Sequence, residues 1–338
     1  MTSKAAVRPE AKSSASPVAR AKTRRPWVRV VRVLLQVVFL VVALWLFERA
    51  LRNYQLRDVL NELMKLSAGR IGGGCALAIL AYLVLAGYDW LGFQYIRHPL
   101  PLRRINTAAF SSYAIGYNLG SSIVMGTSVR YRLYSAWGLS VQDIAKVVIF
   151  CMLTFWVGLA AIAGAIFLSE PEAIGEVLHL PPIAVQCLGA FLVVLVAGYL
   201  AWSVVQKPPL RIRGWELAPP SIWIAVGQIA VTAIDLVMAG TVLYILLPKG
   251  LGVSYFGVIG AYLIAVIFGL ASQVPGGLGV FETAFLHLLP GDVSPAAVAG
   301  ALIAYRGVYY LLPLFIALLL LGGHELKIRM RARKSQRE

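Results

Sequence analysis

Apolar residues fill this chain in long unbroken blocks. Six blocks are long enough to cross a hydrocarbon layer of about 30 Å at about 1.5 Å per residue: residues 30–47, 71–96, 144–168, 183–205, 221–247 and 296–321. Each is predicted to be a membrane-spanning helix. A transmembrane barrel would instead show short segments of alternating polarity. Two further stretches, 105–137 and 255–289, are apolar but interrupted. The second contains SQVPGGLGVFET, in which Pro275, Gly276, Gly277 and Gly279 break the backbone and Glu282 follows.

The polar links between blocks set their sides, because cytoplasmic loops carry the excess of Lys and Arg. The link 97–104 has three arginines, and VQKPPLRIRGWEL has Lys207, Arg211 and Arg213, so both are expected inside. LSEPEAIGEVLHLPP carries Glu170, Glu172 and Glu176 without Lys or Arg and is expected outside. Segment 48–70, with five basic and three acidic residues, reads as an amphipathic surface helix on the outer side. With these sides assigned, 105 and 144 both start inside, while 255 and 296 both start outside. Each interrupted stretch must therefore enter and return. The expectation is two re-entrant helical hairpins from opposite faces, with backbone sheltered by protein or by a water-filled cavity. Pro275, Gly276, Gly277 and Gly279 form the turn of the second, and Gly126 belongs to that of the first.

A shift of 150 residues lays SSIVMGTSVRYR over ASQVPGGLGVFE, pairing Ser122 with Ser272, Val124 with Val274, Gly126 with Gly276 and Arg132 with Glu282. Three spans separate the copies, so they would be inverted repeats, an arrangement used by transporters. Chance similarity in an apolar chain is the competing explanation. The fold class is an all-α polytopic membrane protein: domain 30–322, flanked by basic cytoplasmic tails at 1–29, expected to be disordered, and 323–338.

Composition agrees: 59% of 338 residues are hydrophobic, 14% are charged, and the mean hydropathy is +0.76. The net charge of +16 is concentrated at the ends. The first 32 residues hold nine Lys/Arg and one acid, and residues 324–338 hold six and two. Charge so placed speaks to topology and to anionic lipid headgroups rather than to nucleic acid. Cys75, Cys151 and Cys187 lie in apolar blocks without disulfide or zinc spacing. The chain has no nucleotide-binding glycine loop, no Gly-x-Ser-x-Gly, no His-Glu-x-x-His and no paired-carboxylate loop, so neither an enzyme nor a cofactor is expected. The block at 30–47 is followed by charged FERALRNYQ and reads as a retained anchor.

Five charged residues carry the candidate chemistry. Glu282 follows the glycine turn; it reads as a polar group on a substrate path or as an acid stabilising the free amides of a helix start. Arg130 and Arg132 lie in GTSVRYRLYSAWGLS. Residues two apart do not share a helix face, so one can point inward to grip a phosphate by paired hydrogen bonds while the other meets headgroups. Asp235 and Arg306 sit near the middles of two spans, where they read as an ion pair or as substrate groups. Arg306 reaches either Asp235 or Glu282. GLSVQDIA, with Ser140 and Asp143, is a helix start. Trp90, Trp137 and Trp156 read as interface or packing residues.

VPGGLGVFE resembles the Pro-Gly-Gly-x-Gly-x-x-Glu signature of the lysylphosphatidylglycerol synthase transmembrane-region family. GTSVRYRLYSAWGLS, with the following FCMLTFWVG, is similar to that family's first conserved block, and the resemblance runs from about residue 30 to 321. In two-part relatives this region is the flippase half, moving aminoacylated phosphatidylglycerol across the bacterial inner membrane, with an aminoacyl-transfer domain behind it. With the chain ending at Glu338, a stand-alone member without that domain is expected. The resemblance carries over at Arg130, Pro275, Gly276, Gly277, Gly279 and Glu282. It departs at Thr127 and Ser128, where many relatives have an acid, and around Thr154, where many have a charged pair; these departures leave the lipid open.

The expected function is movement of a phospholipid, aminoacyl-phospholipid or isoprenoid lipid between leaflets of the bacterial inner membrane, with both termini cytoplasmic. Arg130 would hold phosphate. Glu282, with Arg306 or Asp235, would take a cationic or hydroxylated headgroup or relay a proton. The alternative is a membrane scaffold that recruits a lipid-modifying enzyme.

Overall fold

The computed structural model describes residues 41, 45, 56–118, 122–178, 180–205, 210–212, 215–248, 252–289 and 294–335. The tail at 1–29 and, apart from residues 41 and 45, the expected span at 30–47 lie outside the described residues.

The protein is built of helices. In chain order they are α1 (Leu56–Met64), α2 (Ala68–Ile96), α3 (Leu102–Asn118), α4 (Ser122–Ala136), α5 (Val141–Ser169), α6 (Pro171–Leu178) and α7 (Pro182–Val205). After a small antiparallel ribbon, β1 (Leu210–Ile212) and β2 (Trp215–Leu217), come α8 (Ile222–Leu246), α9 (Tyr255–Ser272), α10 (Val280–Leu288), α11 (Pro295–Tyr305) and α12 (Leu312–Ser335). A wide π turn, Arg306–Leu311, joins α11 to α12, so the block expected at 296–321 is one helical rod with a bulge at Arg306. That rod continues to Ser335, which makes the start of the expected tail at 323–338 helical.

Serine sets several helix starts. Ser67, Ser140, Ser221 and Ser254 have extended backbone, and each hydroxyl accepts from the amide three residues on, satisfying a donor that the first helical turn leaves free. The start expected at Ser140 is one of these, with the Ser140 hydroxyl also 2.7 Å from Asp143.

Six of the described helical segments are long and apolar enough to cross a membrane: Ala68–Ile96, Val141–Ser169, Pro182–Val205, Ile222–Leu246, Tyr255–Ser272 and Pro295–Gly323. Five match expected spans. The sixth, α9, was expected as a hairpin arm, but its 18 residues give it about 27 Å. Each interrupted stretch folds as a pair of packed helices. In the first, α3 packs on α4, and residues 119–121 between them lie outside the described residues. In the second, α9 packs on α10 around a short 3-10 turn, Pro275–Gly277. At the 150-residue shift, the continuous helix of 122–132 lies over the broken backbone of 272–282, so the two segments differ in local structure.

α2, α5 and α8 form the centre, with α2 packed on α8 and α5, and α5 on α8 and α7. Much of the core is Ala, Val, Leu and Ile, with a buried tyrosine group: Tyr82, Tyr88, Tyr134 and Tyr305 are all nearly inaccessible. α7 contributes little to it. Its Ile183, Phe191 and Val194 remain exposed, as lipid-facing side chains would. The amphipathic helix expected within 48–70 is α1, whose Val59 is buried against Ala296 and Ala299 of α11.

α5 and α8 pack tightly at Gly158. A Cβ built there would lie 2.1 Å from Cβ of Thr232, whose hydroxyl donates to the Thr154 carbonyl at 3.0 Å. Gln228 donates to the Thr154 hydroxyl at 2.7 Å and accepts from the Tyr199 hydroxyl at 2.5 Å, so the seam is also tied by polar groups. Overpacking a close-packed interior costs about 1–3 kcal/mol. Gly158→Ala is expected to lower the midpoint of thermal unfolding in detergent, whereas Gly198→Ala, at a position with open space around it, is expected to leave it unchanged.

Candidate functional site

Among the described residues three acids lie buried in the apolar helices: Asp89 on α2, Asp235 on α8 and Glu282 on α10. Two of them have arginine partners.

Arg130 turns inward from α4 and meets Asp89 in a two-pronged pair, Nε to Oδ1 at 2.8 Å and Nη2 to Oδ2 at 2.7 Å. The Tyr134 hydroxyl donates to Asp89 Oδ1 at 2.7 Å, and the Tyr113 ring lies 4.5 Å from the guanidinium carbon. Planar fork geometry makes this a strong class of ion pair. Arg132, two residues on, is exposed on α4 and does not line the cavity described below. The expected division of the two arginines between inside and outside is therefore observed, but the inward one already holds a carboxylate. Gly126, expected in the turn of this hairpin, lies inside α4 instead. Its missing side chain matters because a Cβ there would come within 3.2 Å of the Ser112 carbonyl on α3.

Glu282 has two partners. Its Oε2 accepts from the Gly279 amide at 2.8 Å, closing the start of α10, and its Oε1 accepts from Arg306 Nε at 2.5 Å. Of the two sequence readings of Glu282, the helix-start acid is seen directly in the contact with the Gly279 amide, and the charge it meets is Arg306. Arg306 also donates through Nη1 to the Gly276 carbonyl at 2.7 Å and lies 4.3 Å from the centre of the Tyr310 ring. The π turn carries Arg306 and Tyr310, and such bulges recur at functional positions. Of the two partners the sequence left open for Arg306, the structure selects Glu282.

The end of α3 and the turn that joins α9 to α10, the described tips of the two helix pairs, touch. Gly276, at φ +60°, sits so close to the end of α3 that a Cβ would approach the Tyr117 carbonyl oxygen to 2.8 Å. Next to Tyr117, Asn118 donates to the Tyr310 carbonyl at 3.1 Å. Gly277 and Gly279 also have positive φ, +61° and +77°, so Pro275 and the three glycines form a turn that side-chain-bearing residues rarely adopt.

Beside this junction lies a cavity of about 320 Å³. Gly276, Gly277, Val274 and Gln273 form one wall; Tyr117, Tyr262, Tyr309 and Tyr310 form another; Phe155, Trp156 and Ile267 border it from α5 and α9. Trp156 and Ile267 are themselves exposed on the outer surface of the bundle, so the cavity reaches the side of the protein. Asp235 also lines it. One carboxylate oxygen accepts from the Tyr88 hydroxyl at 3.0 Å, and the other is buried without a partner. The structure thus brings Asp235, Glu282 and Arg306 to one region, and it places Arg130 in a separate network. Among the described residues no group of His, Cys, Asp and Glu is arranged to hold a metal ion.

Sequence reasoning missed Asp89. The available signal was an acid inside the apolar block 71–96, in LAGYDWLGF, equivalent in kind to Asp235. The lysylphosphatidylglycerol synthase TM region model matches residues 33–317. The chain belongs to this family. Members similar to it include slr0712 of Synechocystis sp., 38% identical over 286 residues, covering 85% of this chain and 89% of that protein. The inner membrane protein YbhN of Escherichia coli is 33% identical over 258 residues, 75% of this chain and 80% of that one. The phosphatidylglycerol lysyltransferase of Staphylococcus haemolyticus is 24% identical over 292 residues, and the match takes in 84% of this chain but 33% of that protein. As a family member, this chain is a helical membrane protein, with Arg130 and the PGGLGVFE segment, residues 275–282, inside the matched region.

Proposed function

We propose that this protein moves a lipid between the leaflets of a bacterial inner membrane, without doing chemistry on it. The observation that carries this reading is the side-opening cavity at the hairpin tips. A lipid has a polar head and apolar tails, and a site for it needs polar groups at membrane depth with an apolar way out. The cavity is lined by the buried Asp235 and the Gly276 turn as well as by Trp156 and Ile267, which are exposed on the bundle surface. Irregular backbone at such depth is tolerated where it lines a cavity, and broken helices meeting near the midplane are a recurring design of transporter sites. The placement of YbhN in the inner membrane and the phosphatidylglycerol substrate in the name of the staphylococcal relative support the compartment and the class of molecule.

On this reading the two hairpins are re-entrant from opposite faces, and both termini are cytoplasmic. The Glu282–Arg306 pair, which lies behind the cavity wall, holds the second tip against the π turn through the Gly276 carbonyl. The Asp89–Arg130 clamp fixes the first hairpin on α2. Acyl chains stay in the bilayer between α5 and α9.

The test is reconstitution. Purified protein in liposomes containing fluorescent phosphatidylglycerol is expected to expose inner-leaflet label to an external quencher faster than protein-free liposomes do. Ala271 lines the mouth and is exposed, so Ala271→Trp is expected to fold normally and to slow this exposure at least severalfold. Wild-type liposomes that match the protein-free control would end the transport reading in favour of a scaffold that recruits a lipid-modifying enzyme.

A further inference from the structure

The third acid is treated differently from the other two. Asp89 is neutralised by Arg130 and Glu282 by Arg306, each at hydrogen-bond distance. Asp235 is as deeply buried, 3% exposed, yet among the described residues no cation pairs with it. The Tyr88 hydroxyl donates to one of its oxygens, and the other has no hydrogen-bond partner among the described residues. The titratable groups that face it from the surrounding elements are tyrosines: Tyr82 and Tyr88 on α2, Tyr113 and Tyr117 on α3, Tyr262 on α9, and Tyr309 on the π turn. α5 presents Phe155 and Trp156 to the cavity, neither of which titrates.

A bare carboxylate in such a place is disfavoured, because burial penalises the charged form and tyrosine hydroxyls rather than a cation are what faces it. Two things relieve the penalty: a proton on the carboxyl, or a positive charge beside it. Among the described residues no Lys or Arg lines the cavity, but tyrosines do, Tyr117, Tyr262, Tyr309 and Tyr310, and aromatic rings attract cations.

We propose that Asp235 is a proton–cation exchange site. Its carboxyl holds a proton while the cavity is empty. When an ammonium-bearing group enters, the O–H bond breaks, the proton leaves to water, and the ammonium becomes the counter-ion of the carboxylate. One positive charge replaces another, so the buried charge of the site is unchanged. This couples occupancy of the cavity to proton release. It rests on the transport reading only in that the ammonium group is taken to be part of a lipid headgroup.

The experiment uses the full chain in lipid nanodiscs, with decylammonium as probe and decanol as neutral control. Infrared difference spectra are expected to show a protonated-carboxyl band that decylammonium removes and decanol leaves, with a matching acidification of a weakly buffered medium. Asp235→Asn, which keeps shape and removes the proton, is expected to lose both signals, while Glu172→Gln, at an exposed carboxyl on α6 away from the cavity, keeps them. Should Asp235→Asn fail to assemble, Asp235→Glu identifies the same band by displacing its frequency. A spectrum without such a band at any pH the protein survives, a band unmoved by decylammonium, or a band unaltered by both Asp235 variants would overturn the proposal. Lipid movement measured in parallel separates the two ideas: movement that persists without the band leaves transport standing and removes proton exchange.

Discussion

Asp89→Ala is expected to destabilise the protein by about 3–5 kcal/mol, the usual cost of removing one partner from a buried ion pair. The substitution strands the Arg130 guanidinium, 6% exposed, against the Tyr113 ring with no carboxylate to hold, and it takes the acceptor from the Tyr134 hydroxyl. Arg130→Ala is expected to cost a similar amount by stranding Asp89, which is fully buried. The double change Asp89→Leu with Arg130→Met leaves no buried charge and is expected to recover most of the loss, because apolar replacement of a whole buried pair is often neutral. Thermal unfolding of the four proteins in one detergent checks this as a double-mutant cycle. If the double variant is stable but no longer moves lipid, Arg130 has a role beyond holding α4 to α2. If it is stable and active, the pair is purely a clamp.

Gly276→Ala is the second large effect expected. At φ +60° a side chain costs about 1–3 kcal/mol in backbone strain, and the new Cβ would sit 2.8 Å from the Tyr117 carbonyl oxygen, a main-chain atom that has no rotamer to escape into. The added methyl must push the two hairpin tips apart. That displaces the Gly276 carbonyl from Arg306 Nη1 and opens the cavity wall. Gly276→Asn separates the two causes: asparagine tolerates positive φ but is too large for the space, so it is expected to be as harmful as alanine. Gly252, at φ +67° with nothing around it, is the control; Gly252→Asn is expected to be mild. Loss of lipid movement in both Gly276 variants, with helix content by circular dichroism retained, is the expected result. Normal activity in Gly276→Ala would mean that the tips do not need to touch.

The helical class, five of the spans, the serine at the start of α5 and the break at Pro275 were legible along the chain, because each is a local property. Length and apolarity decide whether a helix suits the bilayer, serine caps the turn that follows it, and proline with glycines bends the backbone where it stands. The family was legible for the same reason, since its signature is a contiguous string. Asp89 was legible as a buried acid but was passed over, and Gly126 was assigned to a turn when its real constraint is the approach of another helix.

What only the tertiary structure decided is pairing. Glu282 and Asp235 are both acids at membrane depth, and no pattern along the chain says which of them Arg306 will meet. That choice depends on the π turn directing Arg306 toward the Gly276 carbonyl and on α10 being short enough to present its first turn there. The same packing leaves Asp235 facing an aromatic cavity with one oxygen unsatisfied. Apolar periodicity specifies how much of a helix is buried; which charged groups share that burial is set by the distances between helices distant in sequence.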